Sequence, residues 1–307
     1  MKKSSFNTPI AYFIFNRPWI TAKSFEVIKK LKPRNLYIVA DGPRKNFPND
    51  YERCQETRNI VSNIDWECNL KKNYSDENLG MKNRNISGLN WLFEHEEMSI
   101  ILEDDNLADL SFFNFASELL EYYKNDENIF QITGVNWQNG IKRNENSYYF
   151  SKYNHLWGWA TWRRCWKYYD KDIKFWKEWR KSKEWTNTCP DFIERIFWTK
   201  MFDEYLSKNL NSWAYPWLLT AFYRKGLTII PKENLVRNIG FFGGGTHEFA
   251  EDNLITKNFS INRILDHPKK IINNETADIY TFDNIFEGKN MRSLTNKIKF
   301  FLYDKFS

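Results

Sequence analysis

The alternation of short apolar runs with amphipathic stretches in the first hundred or so residues constrains the fold more than any other feature of this sequence. Residues 9–15 and 36–40 are apolar, aromatic and β-branched, and each run ends at polar turn residues, as buried parallel strands do. Between them, residues 19–31 carry apolar side chains at helical spacing, which completes a β-α-β unit. The pattern predicts an α/β fold built on a parallel sheet.

The same alternation continues further along the chain. Residues 78–93 form a glycine turn followed by a helical pattern, and residues 98–102 form a third apolar strand that runs directly into Glu103-Asp104-Asp105. A third helix is predicted over residues 111–123, with Ser111 as its N-cap. We therefore predict a doubly wound sheet, in which ligands gather outside the carboxyl ends of the strands.

The ends of these strands are the candidate ligand contacts. The first two strands end in Asn16-Arg17-Pro18 and Asp41-Gly42-Pro43-Arg44, and the third delivers three consecutive carboxylates to the same edge. Like charges a few ångströms apart raise each other's pKa, and a divalent cation removes that cost. Mg²⁺ or Mn²⁺ prefers oxygen ligands and binds through one or two carboxylates plus substrate phosphates. Because the acidic triplet follows a buried strand, it predicts a metal site that receives a diphosphate.

A second candidate for metal binding is His247, which lies in the glycine-rich run GFFGGGTHE. Three successive glycines allow the backbone to approach a ligand closely. An imidazole at such a place can bind a metal ion or donate to a phosphate. We therefore predict that His247 completes the metal site.

The composition limits the classes of function that remain. With 307 residues the chain can bury a substantial core, and 42% hydrophobic with 27% charged residues is typical of a globular protein. The net charge of +6 is spread over scattered Lys and Arg side chains, so we expect no nucleic-acid partner. The four cysteines lack metal-ligand spacing, and no run approaches the roughly 20 apolar residues of a membrane span. We expect a cytoplasmic protein.

The composition of the sequence changes at about residue 130, beyond which the chain is Trp-rich, polar and less periodic. We interpret residues 1–260 as one catalytic domain, in which residues 1–125 bind a nucleotide-sugar and residues 126–260 bind the acceptor. Residues 261–307 are interpreted as a basic C-terminal tail, solvated or loosely docked. The tail ends in SLTNKIKFFLYDKF, whose basic and aromatic residues suit peripheral contact with the inner face of a cell membrane.

Several short motifs occur in order over about residues 9–250. They are Asn78-Leu79-Gly80, Glu103-Asp104-Asp105, Phe112-Phe113, Tyr149-Phe150-Ser151, Trp157-Gly158-Trp159-Ala160-Thr161-Trp162, Asn234-Leu235-Val236, Asn238-Ile239-Gly240 and Thr246-His247. In this order the sequence resembles bacterial sugar-transferring enzymes encoded with surface-polysaccharide genes. Its E-D-D and Gly-Trp elements are similar to those of the N-acetylglucosaminyltransferase that begins complex N-glycans in animals. The set is specific for glycosyltransferases of the GT-A type, but not for one sugar.

The resemblance implies a GT-A fold, which is a Rossmann-like, doubly wound mixed sheet with helices on both faces. It implies metal-dependent transfer of a sugar from a UDP- or dTDP-sugar to a glycan or lipid-linked acceptor, with inversion at the anomeric carbon. The implied cofactor is Mn²⁺ or Mg²⁺, held by Asp105 with His247, and Asp104 is also assigned to catalysis. The residues assigned to the nucleotide-sugar are Asn16, Arg17, Asp41, Asn78, Gly80, Lys82, Glu103, Asp104, Trp157, Gly158 and Trp159.

The sequence departs from this family at Ala214. The Ser-Trp-x-Tyr-x-Trp element of the family tends to carry an acidic residue at this place, which serves as the base that deprotonates the acceptor hydroxyl. Three explanations stay open: another carboxylate substitutes, the residue was altered to trap a complex, or the natural enzyme tolerates alanine. A missing base leaves binding intact and slows turnover. The nearby acids, whose spacing resembles the solvated face of a helix, are Asp191, Glu194, Asp203 and Glu204.

Two other functions stay open. A catalytically silent nucleotide-sugar or carbohydrate-binding protein would keep the fold, and Ala214 favours this alternative. An intact acidic triplet favours the enzyme, because a pure binder needs no activation of a leaving group. A nucleotidyltransferase shares the sheet and the acidic metal site, but it would carry a Gly-rich, basic phosphate loop near the first strand. The segment Ile14-Phe15-Asn16-Arg17-Pro18 is not such a loop.

Overall fold

A computed structural model describes residues 6–240 and 264–292 of the chain. The described strands are β1 (Ile10–Ile14), β2 (Asn35–Ala40), β3 (Asn69–Tyr74), β4 (Met98–Glu103), β5 (Asn106–Ala108), β6 (Ile129–Thr133), β7 (Tyr148–Ser151), β8 (Trp159–Trp162), β9 (Leu227–Pro231) and β10 (Val236–Asn238). The described helices are α1 (Pro18–Leu31), α2 (Asp50–Ser62), α3 (Gly80–His95), α4 (Leu110–Tyr122), α5 (Arg163–Trp166), α6 (Trp176–Trp179), α7 (Lys183–Thr188), α8 (Phe192–Lys208), α9 (Ala214–Arg224), α10 (Glu275–Ile285) and α11 (Gly288–Met291). The predicted α/β fold is confirmed.

Eight of the described strands form one mixed sheet in the order β3-β2-β1-β4-β8-β6-β9-β7, and β10 pairs with β5 in a second, two-stranded sheet. Strand β1 is parallel to both β2 and β4, and β2 is parallel to β3. The chain moves outward from β1 to β3 and then returns through α3 to β4, on the other side of β1. The strand order therefore reverses between β1 and β4, and such a switch point is where open α/β sheets bind ligands.

Adjacent residues of β1 contact helices on opposite faces of the sheet. Tyr12 stacks on Phe25 of α1 with ring centroids 5.7 Å apart, and its hydroxyl lies 2.6 Å from Ser24 Oγ. Phe13 points to the other face because side chains alternate along a strand. There it meets α3 at Gly88, where an added Cβ would lie 2.6 Å from the Phe13 ring. The sheet is thus covered on both sides at its centre.

The predicted strands and helices of the first half are found close to their predicted bounds, but three details differ. The N-cap of α4 is Asp109, whose carboxylate accepts a hydrogen bond from Ser111 N at 2.8 Å, so the prediction of Ser111 as the cap was wrong. Helix α2 and strand β3 were not predicted. Strand β3 is a polar edge strand, NLKKNY, and the apolar side chains that α2 buries are Cys54 and Val61. Neither segment therefore shows a clear apolar period.

The Trp-rich part of the chain extends the same sheet and also builds helices beside it. Strand β8 lies antiparallel between β4 and β6, and β6 is parallel to β9. Helices α6 to α9 enclose a second apolar cluster, which includes Trp176, Trp185 and Trp198. Helix α9 joins this cluster to the sheet core, because Trp217 packs in the sheet core and Leu219 packs in the second cluster.

Residues 264–292 pack against the sheet, which differs from the solvated or loosely docked tail expected there. Helix α10 buries Ala277 and Phe282, and its buried Asp278 accepts a hydrogen bond from Ser151 of β7. Two of the four buried positions in α10 are polar, so the helix has little apolar signature. The segment SLTNKIKFFLYDKF lies outside the described residues. Among the described helices, none has the length and apolar character needed to cross a membrane.

Candidate functional site

The acidic triplet lies at the carboxyl edge of the sheet, beside the switch point. Glu103 is the last residue of β4 and pairs in register with Phe13 of β1. The next residue, Asp104, donates its backbone N–H to Phe13 O at 2.9 Å. Arg17 is the N-cap residue of α1, the helix that follows β1. The residues that follow two adjacent parallel strands are thereby brought together.

Arg17 binds two of the three carboxylates. Its Nη2 donates to Asp104 and also to Asp105 Oδ2 at 3.1 Å, while its Nε lies 3.3 Å from Asp104 Oδ2. Ser24 of α1 fixes the same segment by donating to the backbone oxygen of Asp104 at 2.6 Å. Asp104 is 2% exposed, and its buried carboxylate is paired with Arg17. The predicted contacts of Arg17 and Asp104 with a nucleotide-sugar stay predictions.

Asn106 organises the triplet, and sequence reasoning missed it. Its Nδ2 donates to Asp105 Oδ1 at 2.8 Å. Its Oδ1 accepts from Glu103 N at 3.1 Å and from Gly158 N at 2.9 Å. One buried amide therefore connects the end of β4 to the turn before β8. The only signal in the sequence is its position directly after the acidic triplet.

The electrostatics of the site reflect three carboxylates that share one guanidinium. Burial, followed by the charges of Asp105 and Asp104, raises the pKa of Glu103 to about 8. Burial also raises the pKa of Asp104, although Arg17 opposes this effect. Burial alone would lower the pKa of Arg17, but the carboxylates of Asp104 and Asp105 outweigh it and raise that pKa. Burial and mutual repulsion thus make it unfavourable to ionise all three carboxyls beside one guanidinium, and a divalent cation would offset that cost.

Gly240 packs closely beside Asp105. Strand β10 pairs with β5, and Ile239 N donates to Asp105 O at 2.8 Å, which places the next residue against the triplet. A Cβ at Gly240 would lie 2.8 Å from Asp105 Oδ2, so any other residue would crowd that oxygen. His247 lies outside the described residues, and its predicted role stays a prediction. Within residues 6–240 and 264–292, no three His, Cys, Asp or Glu side chains are grouped to hold a metal ion by themselves.

The second strand end, at Asp41, is tied to the start of α3. The buried Asp41 carboxylate accepts hydrogen bonds from Gly42 N at 2.9 Å, Leu79 N at 2.8 Å, Gly80 N at 3.0 Å and Asn78 Nδ2 at 3.1 Å. The first N–H groups of a helix lack partners within it, and a carboxylate satisfies them. The structure therefore brings Asp41, Asn78 and Gly80 together through bonds to one another. Their contact with a nucleotide stays a prediction.

A third group at this edge, around Asp50, was also missed. Asp50 is 2% exposed and accepts from Arg44 Nε at 2.7 Å, Arg44 Nη2 at 2.9 Å and Asn16 Nδ2 at 2.6 Å. The Arg44 guanidinium lowers the pKa of Asp50 to about 2. Arg44 also lies over the Phe47 ring, 3.7 Å from its centroid, beside an open depression of about 350 Å³. Asp50 lies ten residues beyond the end of β2, so no local pattern marks it.

The W-G-W-A-T-W run serves the core more than a surface. Trp159 is 1% exposed and stacks on Trp213 with ring centroids 5.7 Å apart, so it presents no face to the sugar contact predicted for it. Gly158 has a φ of +57°, and an added Cβ would lie 2.6 Å from Val236. Trp157 is half-buried and meets Trp137 edge-on at 4.8 Å. Trp157 is therefore the better candidate of the two for a sugar.

Lys82 of α3 points toward helices α6 to α9 and the apolar cluster that they enclose, which we call the helical region. Its Nζ lies 3.4 Å from Asn209 Oδ1 and 3.3 Å from Leu210 O, and it sits 4.6 Å from the centroid of the Tyr205 ring. These contacts connect α3 with the end of α8. The predicted contact of Lys82 with the nucleotide-sugar stays a prediction.

Ala214 begins α9 next to the tryptophan pair at the sheet. The preceding residue, Trp213, stacks on Trp159, and Ala214 N donates to Ser212 Oγ at 3.2 Å. Trp159 pairs in register with Ile101, two residues before Glu103. The start of α9 therefore lies toward the edge that carries the acidic triplet.

The four acids near Ala214 in the sequence all have partners in the helical region. Helix α8 is present, but the interpretation of these acids as its solvated face was wrong for Glu194, which is 5% exposed. The pairs are Asp191 with Arg292, Glu194 with Lys152 and Tyr153, Asp203 with Arg180 and Trp176, and Glu204 with Lys208. These contacts give the four carboxylates structural roles.

The raised pKa of Glu103 predicts a pH-dependent gain in stability for the substitution Glu103→Gln. The folded protein holds Glu103 at a pKa of about 8, against an ordinary value of 4.5, so the wild type loses stability as pH rises between these values. Glutamine has no such loss. We expect Glu103→Gln to raise Tm by at least about 2 °C at pH 8 in EDTA and to leave it unchanged at pH 4. Thermal unfolding followed by circular dichroism measures both. An equal Tm change at the two pH values would contradict the assigned electrostatics.

No protein family and no curated protein sequence matches this chain. Weak similarity is found to solved structures, among them the following two. One is a UDP-glucose pyrophosphorylase complexed with UDP-glucose, at 12% identity and a TM-score of 0.26, over 47% of this chain and 62% of that chain. The other is the UTP-bound UGPase from Acinetobacter baumannii, at 6% identity and a TM-score of 0.31, over 54% of this chain and 78% of that chain. The chain spans less than two thirds of the first structure.

Proposed function

We propose that this chain is a metal-dependent, inverting glycosyltransferase of the GT-A type, which transfers a sugar from a UDP- or dTDP-sugar to a glycan or lipid-linked acceptor in bacterial surface polysaccharide synthesis. One observation carries the proposal. The acidic triplet and Arg17 meet at the switch point between β1 and β4, where the strand order reverses. Ionising three carboxylates beside one guanidinium at that point is costly unless a cation occupies it.

The residues present fit a divalent cation. Asp105 is the proposed ligand, because it belongs to a group of three carboxylates that shares a single guanidinium, Arg17. Mg²⁺ and Mn²⁺ bind through one or two carboxylates together with phosphate oxygens, so a set of three protein ligands is not required. His247 is the proposed second ligand. When bound, the ion supplies Lewis-acid stabilisation of the departing nucleoside diphosphate.

The other residues at this edge bind and orient the donor. Asn16 and the Asp41 turn follow β1 and β2, and they are the proposed contacts of the base and ribose. Trp157, on the β8 side, offers a partly exposed ring to the donor sugar, since flat aromatic faces suit pyranose rings. Arg17 donates hydrogen bonds to Asp104 and Asp105, and these bonds fix the direction of both carboxylates.

A catalytically silent nucleotide-sugar binder is the second candidate, and the contacts of the local acids favour it. Ala214 has no proton acceptor, and Asp191, Glu194, Asp203 and Glu204 are paired within the helical region. A protein with this site would still bind a donor, since a general base affects rate rather than donor affinity. The two candidates therefore predict the same binding and different turnover.

A thermal-shift panel tests the proposed binding. UDP-glucose, UDP-N-acetylglucosamine, UDP-galactose and dTDP-glucose are compared with and without Mn²⁺, with ADP-glucose as the control. A ligand at a hundred times its Kd stabilises the native state by about 2.7 kcal/mol, which raises Tm by several degrees for a chain of this size. We expect this rise for a UDP- or dTDP-sugar only when Mn²⁺ is present. No metal-dependent rise with any of them would refute the proposed function.

Mass spectrometry of the bound panel then separates the two candidates. The enzyme releases nucleoside diphosphate over hours, through slow transfer to water or to an added acceptor. The silent binder returns the donor intact.

A further inference from the structure

The orientation of the Asn16 side-chain amide is determined by its neighbour. Asp50 accepts a hydrogen bond from this amide at 2.6 Å, and it also forms a two-point pair with Arg44. An ionised carboxylate only accepts hydrogen bonds, so the atom of Asn16 that faces Asp50 is Nδ2. The Asn16 Oδ1 must then point away from Asp50.

The pair that imposes this orientation is rigid and permanently charged. Asp50 is 2% exposed, and it also accepts from Arg44 N at 3.0 Å, so both oxygens are held. The Arg44 guanidinium lies between Asp50 and the Phe47 ring. Because arginine stays protonated and its pair with Asp50 is bidentate, Asp50 has no accessible state in which it donates to Asn16.

The exposed side of Asn16 is at the ligand edge of the sheet. Asn16 is half-buried, it directly precedes Arg17, and it follows the end of β1. Among the described residues, no hydrogen bond to Asn16 Oδ1 is found, whereas Nδ2 is bound to Asp50. This edge therefore presents the Asn16 Oδ1 acceptor to an incoming ligand.

We propose that Asp50 is a positioning residue that locks the Asn16 amide, so that Asn16 Oδ1 selects a base with a ring N–H over a base with a bare ring nitrogen. This inference rests on the proposed function and deepens it by assigning the choice of base. Uracil and thymine carry a hydrogen at N3 and can donate to Asn16 Oδ1. Cytosine has a lone pair at N3, which would face the Asn16 oxygen without a hydrogen between them. A site built to accept a hydrogen bond discriminates against an analogue that lacks the donor.

The substitution Asp50→Asn removes the lock, because an amide at position 50 can face Asn16 with either its oxygen or its nitrogen. Asn16 can then turn its Nδ2 toward the ligand. We expect the wild type with Mn²⁺ to bind UDP about tenfold more tightly than CDP, the value of one partly exposed hydrogen bond. In Asp50→Asn this preference falls to less than about threefold, chiefly through tighter CDP binding. Titration calorimetry of the full chain with UDP and CDP measures the ratio.

A spectroscopic readout reports the lock without any nucleotide. The side-chain N–H of Asn16 that donates to Asp50 is expected at low field with slowed exchange in the ¹⁵N–¹H spectrum of the wild type, and Asp50→Asn abolishes both features. Asp203→Asn is the matched control, since Asp203 also pairs with an arginine, Arg180, but in the helical region. It is expected to reduce stability and to leave the UDP-to-CDP ratio and the Asn16 signal unchanged.

Three outcomes decide the inference. An unchanged Asn16 signal in Asp50→Asn, or an unchanged UDP-to-CDP ratio with both nucleotides bound, overturns the positioning role while the proposed function stands. If neither nucleotide binds the wild type with Mn²⁺, the proposed function fails and this inference fails with it. If Asp50→Asn does not fold, Asn16→Ala removes the presented oxygen at a half-buried site, and a UDP preference that survives it overturns the proposal.

Discussion

Replacing Asp105 with asparagine is expected to lower the Mn²⁺-dependent affinity for UDP by about 100-fold or more. The substitution removes the charge that would bind the cation, and a divalent ion held by few protein ligands tolerates such a loss poorly. The fold should be kept, because the side-chain oxygen of asparagine still accepts from Asn106 Nδ2. The substitution also removes one of the charges that raise the pKa of Glu103. Calorimetric titration with UDP, with and without Mn²⁺, measures the effect, and thermal unfolding checks the fold.

Asp109→Asn is the matched control for this substitution. Asp109 is a carboxylate near the same edge, where it caps α4 by accepting from Ser111 N, and asparagine caps a helix about as well. The control should bind UDP as the wild type does. If Asp105→Asn binds UDP with unchanged metal dependence, Asp105 is not the metal ligand and the proposed site is misplaced.

The substitution Ala214→Asp is expected to raise the rate of sugar transfer by about 100-fold or more, the usual scale of a general base. Position 214 begins α9, so a carboxylate there is favoured by the N–H groups of the first helical turn and stays ionised at neutral pH. Donor affinity should change little, since Arg17 and the acidic triplet lie on other elements. The measurement is the initial rate of transfer from a donor that the thermal-shift panel identifies, at saturating donor.

Ala214→Asn separates basicity from shape. Asparagine has nearly the size of aspartate and also suits the start of a helix, but it does not accept a proton. It should leave the rate at the wild-type level. Equal rates in Ala214→Asp and wild type would mean that the base lies elsewhere or that transfer needs none, and the alignment of the Ser212-Trp213-Ala214 element with the family would fail.

The strands that meet at the site were predictable because each is a short apolar run with a polar end. Strands β1, β2 and β4 needed only this local pattern, and the meeting of Arg17 with Asp105 followed from the rule that ligands gather at the carboxyl ends of adjacent parallel strands. Phe13 of β1 lies opposite Glu103 of β4, so the residues that follow the two strands lie side by side.

The parts of the site that sequence reasoning missed depend on contacts between distant residues. Asp50 and Asn16 are 34 positions apart, and Asn106 and Gly158 are 52 apart, so no window of sequence contains either pair. Trp159 was assigned to the nucleotide-sugar through the family resemblance. A tryptophan buried between neighbouring strands looks the same in sequence, and only the stacking with Trp213 reveals it.

The hydrogen bonds of Asn106 order the Asp105 side chain during folding, before a ligand binds. Asn106 holds Asp105 Oδ1, the backbone of Glu103 and the backbone of Gly158 at once, so the direction of the Asp105 carboxylate is set while the sheet forms. The conformational entropy of that side chain is lost during folding and not when a ligand arrives. A ligand that reaches Asp105 therefore meets a preorganised group, and preorganisation is the most direct way for a small polar contact to strengthen binding.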